Sequence, residues 1–182
     1  IYSDSRGEEP FCEELYYEGG IVSYVEYLNR KETVLHNPPI YVSGEKDGSY
    51  AEISLQYNDS YVENIYSYAN NIRTHEGGTH LTGFKASITK VFNDYARKHN
   101  ILKENDKNLA GEDVREGLTA VISVKLHNPQ FEGQTKEKLG NSEIRGLVEG
   151  VLNEKLDSFL EENPAIAKEI FEKCLTAARA RE

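Results

Sequence analysis

The 182-residue chain contains no methionine and no tryptophan, and only two cysteines and five prolines. Cys12 and Cys174 stand in no metal or redox spacing, which excludes a disulfide-stapled secreted scaffold. No apolar run approaches the roughly 20 residues of a membrane span, and the N-terminus lacks the basic-then-apolar pattern of a secretory signal. Initiator methionine is trimmed only before small residues, so a methionine-free chain that starts at Ile1 reads as a piece cut from a longer polypeptide. Positive charge is scarce in the first part. Through Glu76 there are 5 basic and 14 acidic residues, net −9, against 16 basic and 17 acidic after it, net −1. Nucleic-acid affinity comes from neutralising phosphates, so the acidic part is a poor DNA surface. Any DNA contact falls to a local basic stripe on the second part, because net charge does not report distribution.

Eleven of the 12 tyrosines lie in the first seventy-odd residues, which read as sheet with one helix. Residues 14–17 read as a short strand. Ile21, Val25 and Leu28 then recur at helical spacing as far as Lys31, and Pro38-Pro39 ends that connection. Residues 40–46 and 50–57 flank Asp47-Gly48, a hairpin signal. In the second run Ala51, Ile53, Leu55 and Tyr57 alternate with Glu52, Ser54 and Gln56, which predicts a half-buried strand. Residues 62–73 predict a third strand.

Glu76-Gly77-Gly78-Thr79 breaks the pattern. Phe84, Ile88, Val91, Phe92 and Tyr95 then share one helical face. Residues 100–111 read as a polar, mobile loop, and Glu112-Asp113 as the first turn of a short helix. Leu118, Ala120, Ile122, Val124 and Leu126 alternate with Thr119, Val121, Ser123 and Lys125, the clearest strand in the chain. A polar loop over 127–141 leads to a long helix that Ser142 would cap, and Asn163-Pro164 starts a last one.

His75-Glu76 and His80 invite a zinc reading, but the two histidines are five apart across a Gly-Gly pair, not four apart on a helix. A polar turn fits better. Tyrosine as a nucleophile would need an activating base or metal, and strand tyrosines are commonly structural. The chain has no phosphate loop, no dinucleotide fingerprint and no nucleophile elbow. The loop Phe131-Glu132-Gly133-Gln134-Thr135-Lys136 lies between the best strand and the longest helix. Gln134 offers amide donors and Lys136 a compact charge, a pair able to grip terminal phosphate oxygens or simply to solvate a turn.

Four motifs stand in order: Glu76-Gly77-Gly78-Thr79-His80, Val114-Arg115-Glu116-Gly117-Leu118-Thr119-Ala120-Val121, Gln130-Phe131-Glu132-Gly133-Gln134-Thr135-Lys136 and Ala177-Ala178-Arg179-Ala180-Arg181-Glu182. In these the chain resembles the transducer domain of the DNA gyrase B family, the ATPase subunits of bacterial type IIA topoisomerases (isomerases). The likeness spans residues 1–182, strongly from Glu76 onward. It implies an α+β fold with a mixed sheet, a left-handed βαβ crossover like that of a ribosomal-protein domain 2, and long C-terminal helices. About 1–76 would be the strand-rich part, and about 77–182 the helix-rich part carrying the Gln-Thr-Lys loop at 134–136.

In such a domain Gln134 and Lys136 would contact the ATP γ-phosphate, and Lys85 would face the cavity that holds the transported DNA. ATP and Mg²⁺ would be held mainly by an N-terminal ATPase domain, and no complete catalytic set or metal site would lie in this chain. Implied partners are that ATPase domain, a C-terminal cleavage domain, the DNA gyrase A protein in an A2B2 heterotetramer and double-stranded DNA, in the cytoplasm and away from membranes. This chain by itself would be an inactive monomer. The same domain of the topoisomerase IV ATPase protein is the nearest alternative, though Glu18-Gly19-Gly20-Ile21-Val22-Ser23-Tyr24 looks more gyrase-like. An acidic protein-interaction module with a tyrosine-rich face is a second alternative.

Overall fold

The computed structural model describes residues 20–37, 39–131 and 138–181. The expected strand at 14–17 and Cys12 lie outside these residues. Strand β1 (Ile40–Lys46) turns back into β2 (Ser49–Tyr57), with Lys46 opposite Ser49. Asp47 and Gly48 take φ of 51° and 82°, the left-handed pair that a two-residue hairpin turn demands. β3 (Asn64–Ala69) and β4 (Ile72–Arg73) repeat the device, with Asn70 and Asn71 at 52° and 70°. The single strand expected over 62–73 is therefore two, because Asn tolerates a region that most side chains avoid.

β5 (Leu118–Lys125) inserts between the hairpins and gives the order β1-β2-β5-β3-β4. Ile122 faces Ile53 of β2 in antiparallel register and Ser67 of β3 in parallel register. A parallel neighbour needs a long crossover. Here the crossover carries α2 (Thr79–Lys98) and α3 (Gly111–Arg115). Gly117 starts the central strand at φ 76°, where a Cβ would fall 2.6 Å from the Asn58 carbonyl oxygen.

Helices cover both faces of this mixed sheet. On one face α2 presents Phe84, Ile88, Val91, Phe92 and Tyr95, all buried, to Ile53, Leu55, Ala120 and Ile122. Phe92 sits 5.0 Å from the Phe171 ring centre and 6.2 Å from that of Tyr57. On the other face lies α1 (Gly20–Leu28), which ends three residues short of the expected Lys31. Its Ile21 and Val25 pack on Tyr68 and Val121. That cover buries Ser54 and Gln56, while α2 covers Ile53 and Leu55 on the opposite face, so β2 is buried on both faces and not half-buried.

The C-terminal helices run as α4 (Ser142–Val151), a π-helical segment (Leu152–Leu156), α5 (Asp157–Glu162) and α6 (Pro164–Arg181). Leu152, Leu156 and Leu160 are fully buried at four-residue spacing. In a regular α-helix each such step overshoots a turn by about 40°, so the leucines would drift around the axis. The wider π segment removes that drift. Asn141, not Ser142, occupies the position before α4. The loop after α2 is tied down rather than mobile. Arg97 donates to the carbonyls of Lys103 and Asp106 and to Asn108, while Asn93 holds both polar backbone groups of Leu109. Leu102 and Leu109 are buried beneath it. Cys174 is a buried free thiol whose pKa burial pushes up. Among the described residues no helix is long and apolar enough to cross a membrane.

Candidate functional site

The loop leaving β5 is built on a fixed stem. Phe131 and Leu139 form an antiparallel bridge, and the Gly140 amide donates to the Gln130 carbonyl at 2.6 Å. Leu139 is fully buried and is held from the far side by the start of α2. Its amide donates to the Gly77 carbonyl and its carbonyl accepts from the Thr79 amide, both at 3.0 Å. Gly78 at φ 136° makes this approach possible, since a Cβ there would land on the Leu139 backbone. Asn141 locks the base. Its Oδ1 accepts from the Gln130 amide at 2.6 Å, and its Nδ2 donates to the Asn128 carbonyl and to Glu143. That last bond lowers the Glu143 carboxyl pKa. Gln134 and Lys136 belong to residues 132–137, which lie outside the described residues, so the structure gives the stem and not the tip.

The histidine pair does not converge on a metal. His80 is buried, with Nε2 3.0 Å from Thr74 Oγ1, which in turn bonds Ser67. Its Nδ1 has no partner among the described residues. Burial lowers the His80 pKa to about 4, so the ring is neutral and joins the start of α2 to the second hairpin. His75 is exposed. No cluster of three or more His, Cys, Asp or Glu side chains suited to a metal occurs among the described residues. Tyr57 and Tyr68 are buried, and the Tyr57 hydroxyl donates to the Val114 carbonyl at 2.6 Å. Burial raises the pKa of that phenol, the reverse of what a nucleophile needs.

Lys85 lies on α2 with 40% of its side chain exposed. Its Nζ stands 3.7 Å from Glu63 Oε2, and the same oxygen accepts from Arg115 Nε at 3.0 Å. The sequence offered no sign of this arrangement, since Glu63, Lys85 and Arg115 come from three separate segments. Asn141 and Leu139 were equally unmarked, and the Gly77-Gly78 pair read only as a break and a polar turn. A surface pocket of about 290 Å³, lined by Gly48, Tyr50, Asn70, Asn71, Lys125, Leu126 and His127, is at the small end for a ligand site.

Residues 20–182 match the family model described as DNA gyrase B. The DNA gyrase B protein of Halalkalibacterium halodurans is 59% identical over 180 residues, covering 99% of this chain and 28% of that relative. The 43K ATPase domain of Thermus thermophilus gyrase B, solved in complex with an aminocoumarin, matches with a TM-score of 0.84. That alignment has 43% identity and covers 90% of this chain and 44% of the other. The topoisomerase IV ATP-binding domain of Francisella tularensis, in complex with a small-molecule inhibitor, matches with a TM-score of 0.76 and 32% identity, over 91% of this chain and 44% of the other. The chain thus spans between a quarter and a half of the length of each of these relatives.

Proposed function

The chain belongs to the DNA gyrase B family, and from that premise we propose that residues 1–182 are the transducer domain of a gyrase B protein. In this reading the domain is part of an ATP-dependent type IIA topoisomerase that negatively supercoils DNA in the cytoplasm. The observation that carries it is the anchored stem between the central strand β5 and α4. Two backbone hydrogen bonds between Leu139 and Gly77 and Thr79, together with the Asn141 clamp, anchor the two ends of the stem on which the Gln-Thr-Lys tip is carried. A sensor needs that rigidity, because a tip on a loose loop would bind a phosphate without moving anything else.

Gln134 and Lys136 contact the γ-phosphate of ATP held, with Mg²⁺, by the N-terminal ATPase domain. The phosphate charge favours the docked arrangement of the two domains, and hydrolysis removes that preference. The helices after the loop carry the change towards the C-terminal cleavage domain and gyrase A in the A2B2 assembly. Lys85 faces the double-stranded DNA. The β3–α2–β5 crossover is left-handed in this reading, as in the ribosomal-protein-like transducer fold. Topoisomerase IV is the rival, and the 59% identity to the Halalkalibacterium halodurans gyrase B protein, against 32% to the Francisella tularensis topoisomerase IV domain, supports gyrase.

The test is steady-state ATP hydrolysis by a chain extended through the ATPase domain, with Lys136 or with Lys136→Ala. Losing a charge contact to phosphate costs about 2 kcal/mol, a fall of roughly 30-fold. Unchanged hydrolysis, with a normal thermal melt, would leave the loop as a solvated turn.

A further inference from the structure

Resting on the reading of Lys85 as a DNA-facing residue, we propose that Glu63 is a built-in competitor for the phosphate that Lys85 would bind. In the DNA-free chain the Glu63 carboxylate stands between two cations, and an incoming backbone phosphate takes Lys85 while Glu63 stays on Arg115.

The three side chains are unequal in a way that sets this order. Arg115 Nε donates to Glu63 Oε2 at 3.0 Å, and the Arg115 side chain is only 18% exposed. Lys85 Nζ stands 3.7 Å from the same oxygen, beyond a good hydrogen bond, with 40% of its side chain exposed. Exposed pairs at that distance are weak and screened by salt. Arg115 Nη1 lies in the space that a Cβ on Gly111 would fill. The covered Arg115 side chain is therefore the one less free to follow a ligand outward. Lys85 has a flexible four-carbon stem and can follow it. The neighbouring carboxylate, Glu116, is drawn to Lys173 at 3.9 Å. The arrangement gives one mobile cation held loosely in reserve, and one fixed cation that keeps the displaced carboxylate. Phosphate then meets a lysine already positioned, while at rest the carboxylate lowers its attraction for other anions.

The experiment is fluorescence anisotropy of a 20-bp duplex titrated with this chain at several salt concentrations, comparing wild type, Glu63→Gln, Lys85→Ala and the double variant. Glu63→Gln is expected to bind about 3–10-fold tighter at 50 mM salt with a slope of log K against log salt close to that of wild type, because Lys85 meets the same phosphate in both, whereas Lys85→Ala should flatten the slope by about 0.9, one phosphate's worth. Adding Lys85→Ala is expected to erase that gain. A gain that survives Lys85→Ala would overturn the proposal, because it would reflect overall charge. An unchanged Glu63→Gln beside a weakened Lys85→Ala would overturn it too, yet leave Lys85 as a DNA contact. Identical binding by all four proteins would remove both ideas. If the unpaired Arg115 unfolds Glu63→Gln, Glu63→Asp keeps the counter-charge but withdraws it from Lys85. A smaller gain is then expected, and no gain would sink the competition.

Discussion

The two faces of the sheet are held by different physics. Against α2 and α4 the contact is apolar, with Phe84, Ile88, Phe92, Ile144 and Val148 packed on Ile53, Leu55, Ala120 and Ile122. Beneath α1 the apolar cluster is small, and the junction is a buried polar network. Asn29 donates to Gln56 at 2.9 Å and accepts from Asn58 at 2.9 Å and Thr119 at 2.8 Å, while Gln56 donates to the His36 carbonyl. Apolar burial is strong and non-directional, so it holds elements together without saying where they sit. A network of directional bonds is costly when half-satisfied and so fixes one position. A nine-residue helix is marginal alone. The lesson is that α2 and α4 supply cohesion, whereas α1 is set in place by fit.

The largest effect that tests this contrast is Phe92→Ala, which empties a fully buried ring site between Tyr57 and Phe171. We expect a loss of about 3–5 kcal/mol in urea unfolding, and a loss near 1 would mean the apolar face is not the main source of stability. Asn29→Ala is expected to cost less, about 1–3 kcal/mol, because three buried polar partners lose a bond at once. Hydrogen exchange should sharpen the comparison. Amides of α1 would exchange faster while those of α2 stay protected, and equal acceleration in both would erase the distinction.

The smallest effect is read at His80, where the second hairpin meets α2. The folded ring has its pKa lowered to about 4 and the unfolded ring takes its proton near 6.5. The unfolded chain therefore binds more protons between these values, and stability falls as pH drops from about 6.5 to about 4. At pH 5.0 the loss relative to pH 7.5 should be about 1–2 kcal/mol from this residue. His80→Gln should remove that part of the slope, and an unaltered slope would show the ring to be freely protonated in the fold.

Turn chemistry and periodicity were legible where one residue type carries the geometry. Asp47-Gly48 marked the first hairpin, and the apolar stripe from Phe84 to Tyr95 marked α2. Asn70-Asn71 was missed because Asn, unlike Gly, does not by itself announce a left-handed turn. Alternation in β2 pointed to one buried face, but Ser54 and Gln56 are buried by α1, and tertiary cover leaves no trace in a strand's own pattern. The polar loop after α2 is likewise fixed by Arg97 and Asn93, residues of another element. Of the candidate site, Gln134 and Lys136 were chemically readable either as a phosphate grip or as a solvated turn, and the four ordered motifs gave them their family setting. The clamp of Gly78 on Leu139 was unreadable, because it joins residues about sixty apart through their backbones.

The position of β5 also sets a clock. Each flanking hairpin closes from neighbouring residues, yet the strand that joins them is made about 50 residues after β4, roughly 3–10 s later at ordinary rates of synthesis. Throughout that interval β2 and β3 each present an open edge, the kind of surface on which strands from other chains add. The nascent protein is therefore most exposed to misassembly before its centre exists, and emergence of Leu118–Lys125 is the event that ends the risk.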